Sequence, residues 1–210
     1  MKRMKYSKVA TLAPVSLLII AALNGALAAD EMTASFPVEN HFQSGLWETS
    51  VGAGVLFSPF IATQTRLVLN YGLTEIQLGY MLTNPRGPAF WRGNFQAVGD
   101  AFGGPIVAGQ GSYVSGVTAW LRYNFVPRDS RLVPFAQAGA GLTGTDLDRR
   151  IEGDNFNFNL DLGVGVRYFV AQNWSVNLEY RFQHISNANL YYPNVGVNAQ
   201  GPMVSVSWLF

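Results

Sequence analysis

The C-terminal segment from Trp174 to Phe210 alternates between apolar and polar residues with a period of two. This is the spacing at which the side chains of a β-strand share a face. In its first half, the apolar face consists of Trp174, Val176, Leu178, Tyr180 and Phe182. In its second half, that face consists of Val204, Val206, Trp208 and Phe210. The segment therefore predicts an antiparallel hairpin with one apolar and one polar face.

Six upstream segments share this alternation and predict further strands at residues 46–57, 73–82, 91–101, 113–125, 132–142 and 156–170. Strands in a soluble β-sandwich are short, about 5–6 residues. A transmembrane barrel needs roughly 9–11 residues per strand, with aromatic girdles and a polar interior. The sequence predicts an all-β protein, an eight-stranded antiparallel transmembrane β-barrel of the bacterial outer membrane over residues 46–210. A soluble sandwich is the alternative.

The N-terminal end has the pattern of an export signal. A basic start is followed by an apolar run from Leu12 to Leu23 and by Ala26-Leu27-Ala28, which predicts a signal peptide over residues 1–28. The apolar run is shorter than the roughly 20 residues that a membrane-spanning helix needs. Residues 29–45 show no period and are predicted to form a periplasmic lead-in. The terminal Phe210 resembles the C-terminal insertion signal of bacterial outer-membrane proteins.

Composition excludes several classes of function. Cleavage after Ala28 removes all three lysines and Arg3, leaving 10 arginines against 13 acidic residues and a net charge of −3. This balance gives no support to nucleic acid binding. The chain contains no cysteine, so disulfides, thiol catalysis and thiolate metal sites are excluded. We identify no metal-binding spacing and no phosphate-binding loop, and expect no cofactor.

The polar faces of the strands predict a filled lumen. An eight-stranded barrel is narrow enough for side chains to fill its interior, which argues against the alternative of a small solute channel. The predicted lumen network consists of Glu48, Glu75, Arg122, Asp161, Arg167 and Glu179. With both termini periplasmic, the connections after strands two, four and six should be short turns. The connection after strand seven then opens toward the outer leaflet.

Three polar residues interrupt the apolar face of the last hairpin. His184, Ser186 and Asn198 all have the parity of lipid-facing residues. If the hairpin is centred on Tyr191, positions 184 and 198 oppose each other, with Cβ atoms about 4.5–5.5 Å apart. A serine, an adjacent base and a third group orienting that base form the general arrangement of nucleophilic catalysis. The alternative is a polar pair at headgroup level.

The motif around these residues resembles that of the PagL-type lipid A 3-O-deacylases. It comprises His184-Ile185-Ser186-Asn187-Ala188, Pro193-Asn194 and Gly196. The resemblance implies a carboxylic ester hydrolase whose site faces lipid in the outer leaflet. Its partner is lipopolysaccharide, from which it removes the ester-linked acyl chain at the 3-position of lipid A.

The same resemblance implies individual roles. Ser186 would be the nucleophile and His184 the general base, while Asn187 and Asn194 would form or support the oxyanion hole. The family has a glutamate fourteen residues after the histidine, where this chain has Asn198. An asparagine can accept a hydrogen bond from imidazole, but the acid-to-amide change costs about 10⁴-fold in the serine-protease template.

No acid is expected to compensate for Asn198. Glu179 has lumen parity, and Asp148, Glu152 and Asp154 belong to another loop. A catalytically weak or inactive structural or lipopolysaccharide-binding barrel is therefore the alternative function.

A pair of arginines in the loop after strand five is a weaker candidate site. Arg149 and Arg150 could bind lipid A phosphates through bidentate hydrogen bonds. The alternative is a solvated loop whose charge is offset by Asp146, Asp148 and Glu152. The sequence leaves open whether the barrel forms a homodimer.

Overall fold

The computed structural model describes residues 37–58, 68–150 and 152–210. Within these ranges, eight antiparallel strands form a closed barrel in which each strand pairs with its sequence neighbours and β8 pairs with β1. The strands are β1 Trp47–Leu56, β2 Asn70–Met81, β3 Gly93–Ala108, β4 Tyr113–Phe125, β5 Leu132–Thr145, β6 Phe156–Phe169, β7 Trp174–Ser186 and β8 Val197–Leu209. The predicted fold is confirmed. The predicted signal peptide, residues 1–28, lies outside the described residues.

Strand β3 is longer than its pattern indicated. The predicted strand ended at residue 101, but β3 continues through Gly103-Gly104-Pro105 to Ala108 and pairs with β4 as far as Tyr113. A Cβ on Gly104 would lie 2.0 Å from the Gly72 carbonyl oxygen, so β2 and β3 approach each other closely only without a side chain there. The β3–β4 connection is consequently short, residues 109–112.

The centre of the lumen is polar, and all six residues predicted for it are buried. Two residues that were not predicted, Arg181 and Asp100, join them. Arg181 lies 2.6 Å from Glu75, 2.9 Å from Glu179 and 3.6 Å from Asp100. Arg167 lies 3.0 Å from Glu48. The guanidinium of Arg181 therefore lies among three buried carboxylates.

Apolar side chains fill both ends of the barrel. The 3₁₀ helix Val38–Phe42, which belongs to the predicted lead-in, inserts Val38 and Phe42 into the end that contains both termini of the barrel domain. They pack against Met81, Val126, Val133, Phe169 and Leu209. The opposite end holds a second cluster: Leu56, Leu69, Tyr71, Leu73, Phe102, Val114, Leu147, Ile185, Val197, Ala199 and Met203.

The outer surface of the barrel is apolar. Its exposed residues include Ile76, Leu78, Val117, Leu121, Leu160, Leu162, Val164 and Leu178. Aromatic side chains surround the end that contains both termini of the barrel domain, with centroids 4.9 Å apart in the pair Trp47–Tyr80 and 4.5 Å apart in the pair Trp208–Phe210. The β2–β3 connection, predicted as a short turn, contains the 3₁₀ helix Ala89–Trp91. No helix in the described part of the chain has the length and apolar character to cross a bilayer.

Replacing Arg181 by methionine is expected to lower the free energy of unfolding by about 3–5 kcal/mol, because three buried carboxylates lose their common cation. The measurement is urea unfolding of the folded barrel in lipid vesicles. The matched control is Arg128→Met, in an exposed β4–β5 turn. Equal midpoints for the two variants would contradict this role of Arg181.

Candidate functional site

The outer end of the β7–β8 hairpin points three polar side chains away from the lumen. Ile185 and Val197 pair with each other and belong to the apolar lumen cluster. Because alternate residues of a strand face opposite sides, His184, Ser186 and Asn198 lie on the outer surface. His184 pairs directly with Asn198, which is the register expected for a hairpin centred on Tyr191.

The imidazole of His184 connects the other two side chains. Its Nδ1 lies 2.6 Å from Asn198 Oδ1, and its Nε2 lies 3.1 Å from Ser186 Oγ. An amide oxygen can only accept a hydrogen bond, so His184 Nδ1 is the donor in the first contact. In this tautomer Nε2 is unprotonated and accepts the hydrogen bond from the Ser186 hydroxyl. The arrangement can therefore withdraw a proton from Ser186.

Asparagine side chains fix the loop that follows Ser186. The backbone N–H of Asn187 donates to Asn194 Oδ1 at 3.1 Å, and Asn187 Nδ2 donates to the Pro193 carbonyl at 3.3 Å. Asn194 Nδ2 donates to Asn189 Oδ1 at 3.0 Å. Ala188 and Asn189 have φ values of 54° and 61°, so the chain reverses immediately after Asn187. Asn187 and Asn194 thus hold the backbone beside Ser186, and their role at an oxyanion stays a prediction.

The two loop arginines point to solvent, with side chains 71% and 88% exposed for Arg149 and Arg150. Arg150 Nε lies 3.0 Å from each carboxylate oxygen of Asp148, and this hydrogen bonding lowers the pKa of Asp148 to about 2. Arg149 lies 3.9 Å from Asp154. Acids of the same loop therefore offset both charges, and phosphate binding by these arginines stays a prediction.

Glu152 lies next to the site, although its place in another loop gave no reason to expect this. In the connection from β5 to β6, Glu152 packs on the β7–β8 loop through a bridge to Asn194. The Gly153 N–H donates to the Pro193 carbonyl at 2.7 Å, and the Gly196 N–H donates to Glu152 Oε1. An acid of another loop therefore lies beside the site, and the expectation that no acid compensates for Asn198 stays a prediction. No local pattern could reveal a contact between residues 44 positions apart.

Similarity to known proteins identifies the family. The model of the family "Lipid A 3-O-deacylase (PagL)" matches residues 38–207. This chain belongs to the PagL family. It is therefore a protein of the bacterial outer membrane, and its strands cross that membrane. The 38–207 match includes every residue of the His184–Asn198 hairpin described above. No curated protein sequence is significantly similar to the chain.

Solved structures support the fold of this PagL family member. The outer-membrane enzyme PagL is 20% identical, with a TM-score of 0.52, over 75% of this chain and 97% of that chain. Neisserial surface protein A is 18% identical, with a TM-score of 0.56, over 80% of this chain and 98% of that chain. Across residues 37–58, 68–150 and 152–210, His, Asp and Glu side chains form no cluster of three or more that could hold a metal ion.

Proposed function

We propose that this protein hydrolyses the ester-linked acyl chain at the 3-position of lipid A in the outer leaflet. The observation that carries the proposal is the contact of His184 with both Ser186 Oγ, at 3.1 Å, and Asn198 Oδ1, at 2.6 Å. Membership of a family named for this activity supports the substrate and the reaction type. The outward position of the three side chains supports a lipid substrate, because the surrounding surface is apolar.

The reaction proceeds by acyl transfer to serine. Ser186 Oγ attacks the ester carbonyl while His184 Nε2 takes its proton, giving a tetrahedral intermediate with a negatively charged oxygen. His184 returns the proton to the leaving oxygen at the 3-position, and the acyl chain stays on Ser186. Water, deprotonated by His184, then attacks this acyl-enzyme ester. The fatty acid departs, and Ser186 recovers its proton.

Side-chain amides stabilise the intermediate. Asn187 Nδ2 and Asn194 Nδ2 each use one hydrogen in a bond within the loop. An amide nitrogen carries two hydrogens, so the second hydrogen of each is our candidate oxyanion donor. Removing a single donor of this kind typically costs about 10²–10³ in kcat.

The strand beside the site provides the surface for the acyl chain. On β6, Leu160 pairs with His184 and Phe158 pairs with Ser186. Leu160 and Leu162 are exposed on the outside of the barrel. An acyl chain lying against these residues keeps its contacts with membrane lipid while its ester reaches Ser186. Arg149 and Arg150, in the loop above, are our candidates for contact with the lipid A phosphates.

A second function is favoured by one observation, the amide at position 198. Without a carboxylate on His184 Nδ1, the imidazolium formed during acylation is less stable. A barrel with this change could bind lipopolysaccharide, or serve the membrane structurally, without hydrolysing its substrate.

Mass spectrometry of lipid A distinguishes the two functions. The protein and its Ser186→Ala variant are expressed in a bacterial host whose lipid A carries an ester-linked acyl chain at the 3-position. We expect lipid A that lacks the mass of this chain only with the unaltered protein. Identical, fully acylated lipid A from both strains, at equal amounts of folded barrel, contradicts the enzyme and favours the binding barrel.

A further inference from the structure

The carboxyl group of Glu152 is buried against the loop that carries the site. The residue is 0% exposed, and Oε1 accepts the Gly196 N–H. Its backbone N–H donates to the Asp148 carbonyl at 3.2 Å, which fixes the loop from the other side. An acidic side chain is rarely buried completely unless a partner compensates its charge. The position of Glu152 therefore calls for a positive group nearby.

Within the described part of the chain, the second carboxyl oxygen of Glu152 lacks the hydrogen bond that the first one has. Among the residues that the structure describes, Glu152 Oε2 is buried and has no hydrogen-bond partner. Burial raises the pKa of Glu152 above its ordinary value, and hydrogen bonds from the loop backbone and the positive charge of a protonated His184 offset only part of this rise. These backbone hydrogen bonds leave Oε2 unsatisfied among the described residues, and the positive charge that acts on the carboxyl group is that of protonated His184.

Gly196 lies between the Glu152 side chain and the imidazole of His184. Its amide donates to Glu152, and its φ of 71° is a conformation that glycine adopts without strain. A Cβ at this position would lie 3.4 Å from His184 Cε1 and 3.9 Å from Ser186 Cβ. Cε1 is the carbon between the two ring nitrogens. The backbone that Glu152 holds therefore lies beside the edge of the imidazole, with space for no more than a methyl group between them.

We propose that Glu152 is a positioning residue for His184, and that it supplies the negative charge which Asn198 does not provide. This inference rests on the proposed function and deepens it. In the proposed reaction, Asn198 orients the ring through Nδ1, and Glu152 stabilises the imidazolium that forms when His184 takes the proton of Ser186. A catalytic acid both orients the histidine and supplies negative charge. Here Asn198, on β8, does the first, and Glu152, in the β5–β6 loop, does the second.

None of the other described groups around His184 supplies a negative charge to it. On the neighbouring strands, Leu160 and Asn198 pair with His184 and are both uncharged. Asp154, in the same loop as Glu152, faces Arg149. On the β7–β8 loop, the nearest titratable side chains are the phenols of Tyr191 and Tyr192, which are exposed.

Titration of the histidines by NMR tests this charge without depending on activity. The chain has two histidines, so both imidazoles can be followed in one labelled sample. His41 stacks on Phe169 at a centroid distance of 5.9 Å, at the opposite end of the barrel, and is the internal control. In Glu152→Gln, which keeps an oxygen for Gly196, we expect the His184 midpoint to fall, because an opposite charge near the imidazolium is removed. The His41 midpoint should not change.

Kinetics with the same variant test the consequence for hydrolysis. Glu152→Gln should lower kcat about ten-fold at unchanged KM, because the charge acts only once the imidazolium forms. The acidic limb of the pH–rate profile should move to lower pH. Asp154→Asn, a neighbouring acid paired with Arg149, is the control and should leave both quantities unchanged. In the Asn198→Glu background, where a carboxylate reaches Nδ1 directly, Glu152→Gln should have a much smaller effect.

The two measurements separate this inference from the proposed function. A His184 midpoint that is the same in Glu152→Gln and in the unaltered protein overturns the role of Glu152, whatever the activity. A shifted midpoint with no deacylation by any variant supports the charge contact and overturns the proposed function. If Glu152→Gln lowers kcat equally in the unaltered protein and in the Asn198→Glu background, Glu152 only supports the loop, which also overturns the inference.

Discussion

Replacing Ser186 by alanine is expected to lower kcat for lipid A deacylation by about 10⁴-fold. In subtilisin, loss of the serine costs about 2 × 10⁶ in kcat. Part of that factor is already absent here, because Asn198 cannot stabilise the imidazolium as a carboxylate does. The residual rate would come from the amide donors and from binding alone, which survive the substitution.

The measurement is release of fatty acid from lipopolysaccharide by the purified barrel in detergent micelles. Ser130→Ala is the matched control, because it removes a hydroxyl in the β4–β5 turn at the other end of the barrel. We expect Ser130→Ala to retain full activity. Equal rates for Ser186→Ala and the unaltered protein would show that the hydrolysis arises from another group or from a contaminant.

Replacing Asn198 by glutamate is expected to raise kcat by about 10²-fold. A carboxylate at this position would accept the Nδ1 hydrogen of His184, 2.6 Å from the present amide oxygen, and would stabilise the imidazolium. The serine-protease template indicates about 10⁴ for an acid against an amide. The smaller figure is expected because Glu152 already supplies part of the charge.

Two further substitutions, Asn198→Asp and Asn198→Gln, separate the effect of charge from the effect of side-chain length. The aspartate variant would carry the charge on a shorter side chain, whereas the glutamine variant would have the length of glutamate without its charge. We expect a gain from the first, whose carboxylate oxygen takes the position of the present amide oxygen, and none from the second, as measured by kcat and by the acidic limb of the pH–rate profile. Equal gains from Asn198→Gln and Asn198→Glu would show that side-chain length, not charge, limits the reaction.

The outward-facing residues of the site could be predicted because the face on which a strand residue lies depends only on its place in the local alternation. Ile185 and Val197 had to face one side of the sheet, so His184 and Asn198 had to face the other. The register followed from the near-symmetry of the hairpin about Tyr191. These inferences needed only the period of a β-strand and the sequence of one hairpin, and the observed pairing agrees with them.

Contacts between distant segments could not be predicted. The packing of Glu152 beneath Gly196 depends on how two loops meet, and the insertion of Phe42 into the barrel end depends on the width of a lumen that eight strands form together. The extension of β3 through Gly104 was missed for a related reason. Its glycines are residues typical of turns, and the close approach of β2 that requires them cannot be read from the local sequence.

The filling of the lumen at both ends by apolar clusters has a consequence for enzyme kinetics. In the proposed reaction, substrate approaches the site sideways, within the two-dimensional lipid layer, and not through the barrel from bulk water. The concentration that governs turnover is then the mole fraction of lipid A around each barrel, so dilution with inert amphiphile slows the reaction even when the total amount per litre is constant.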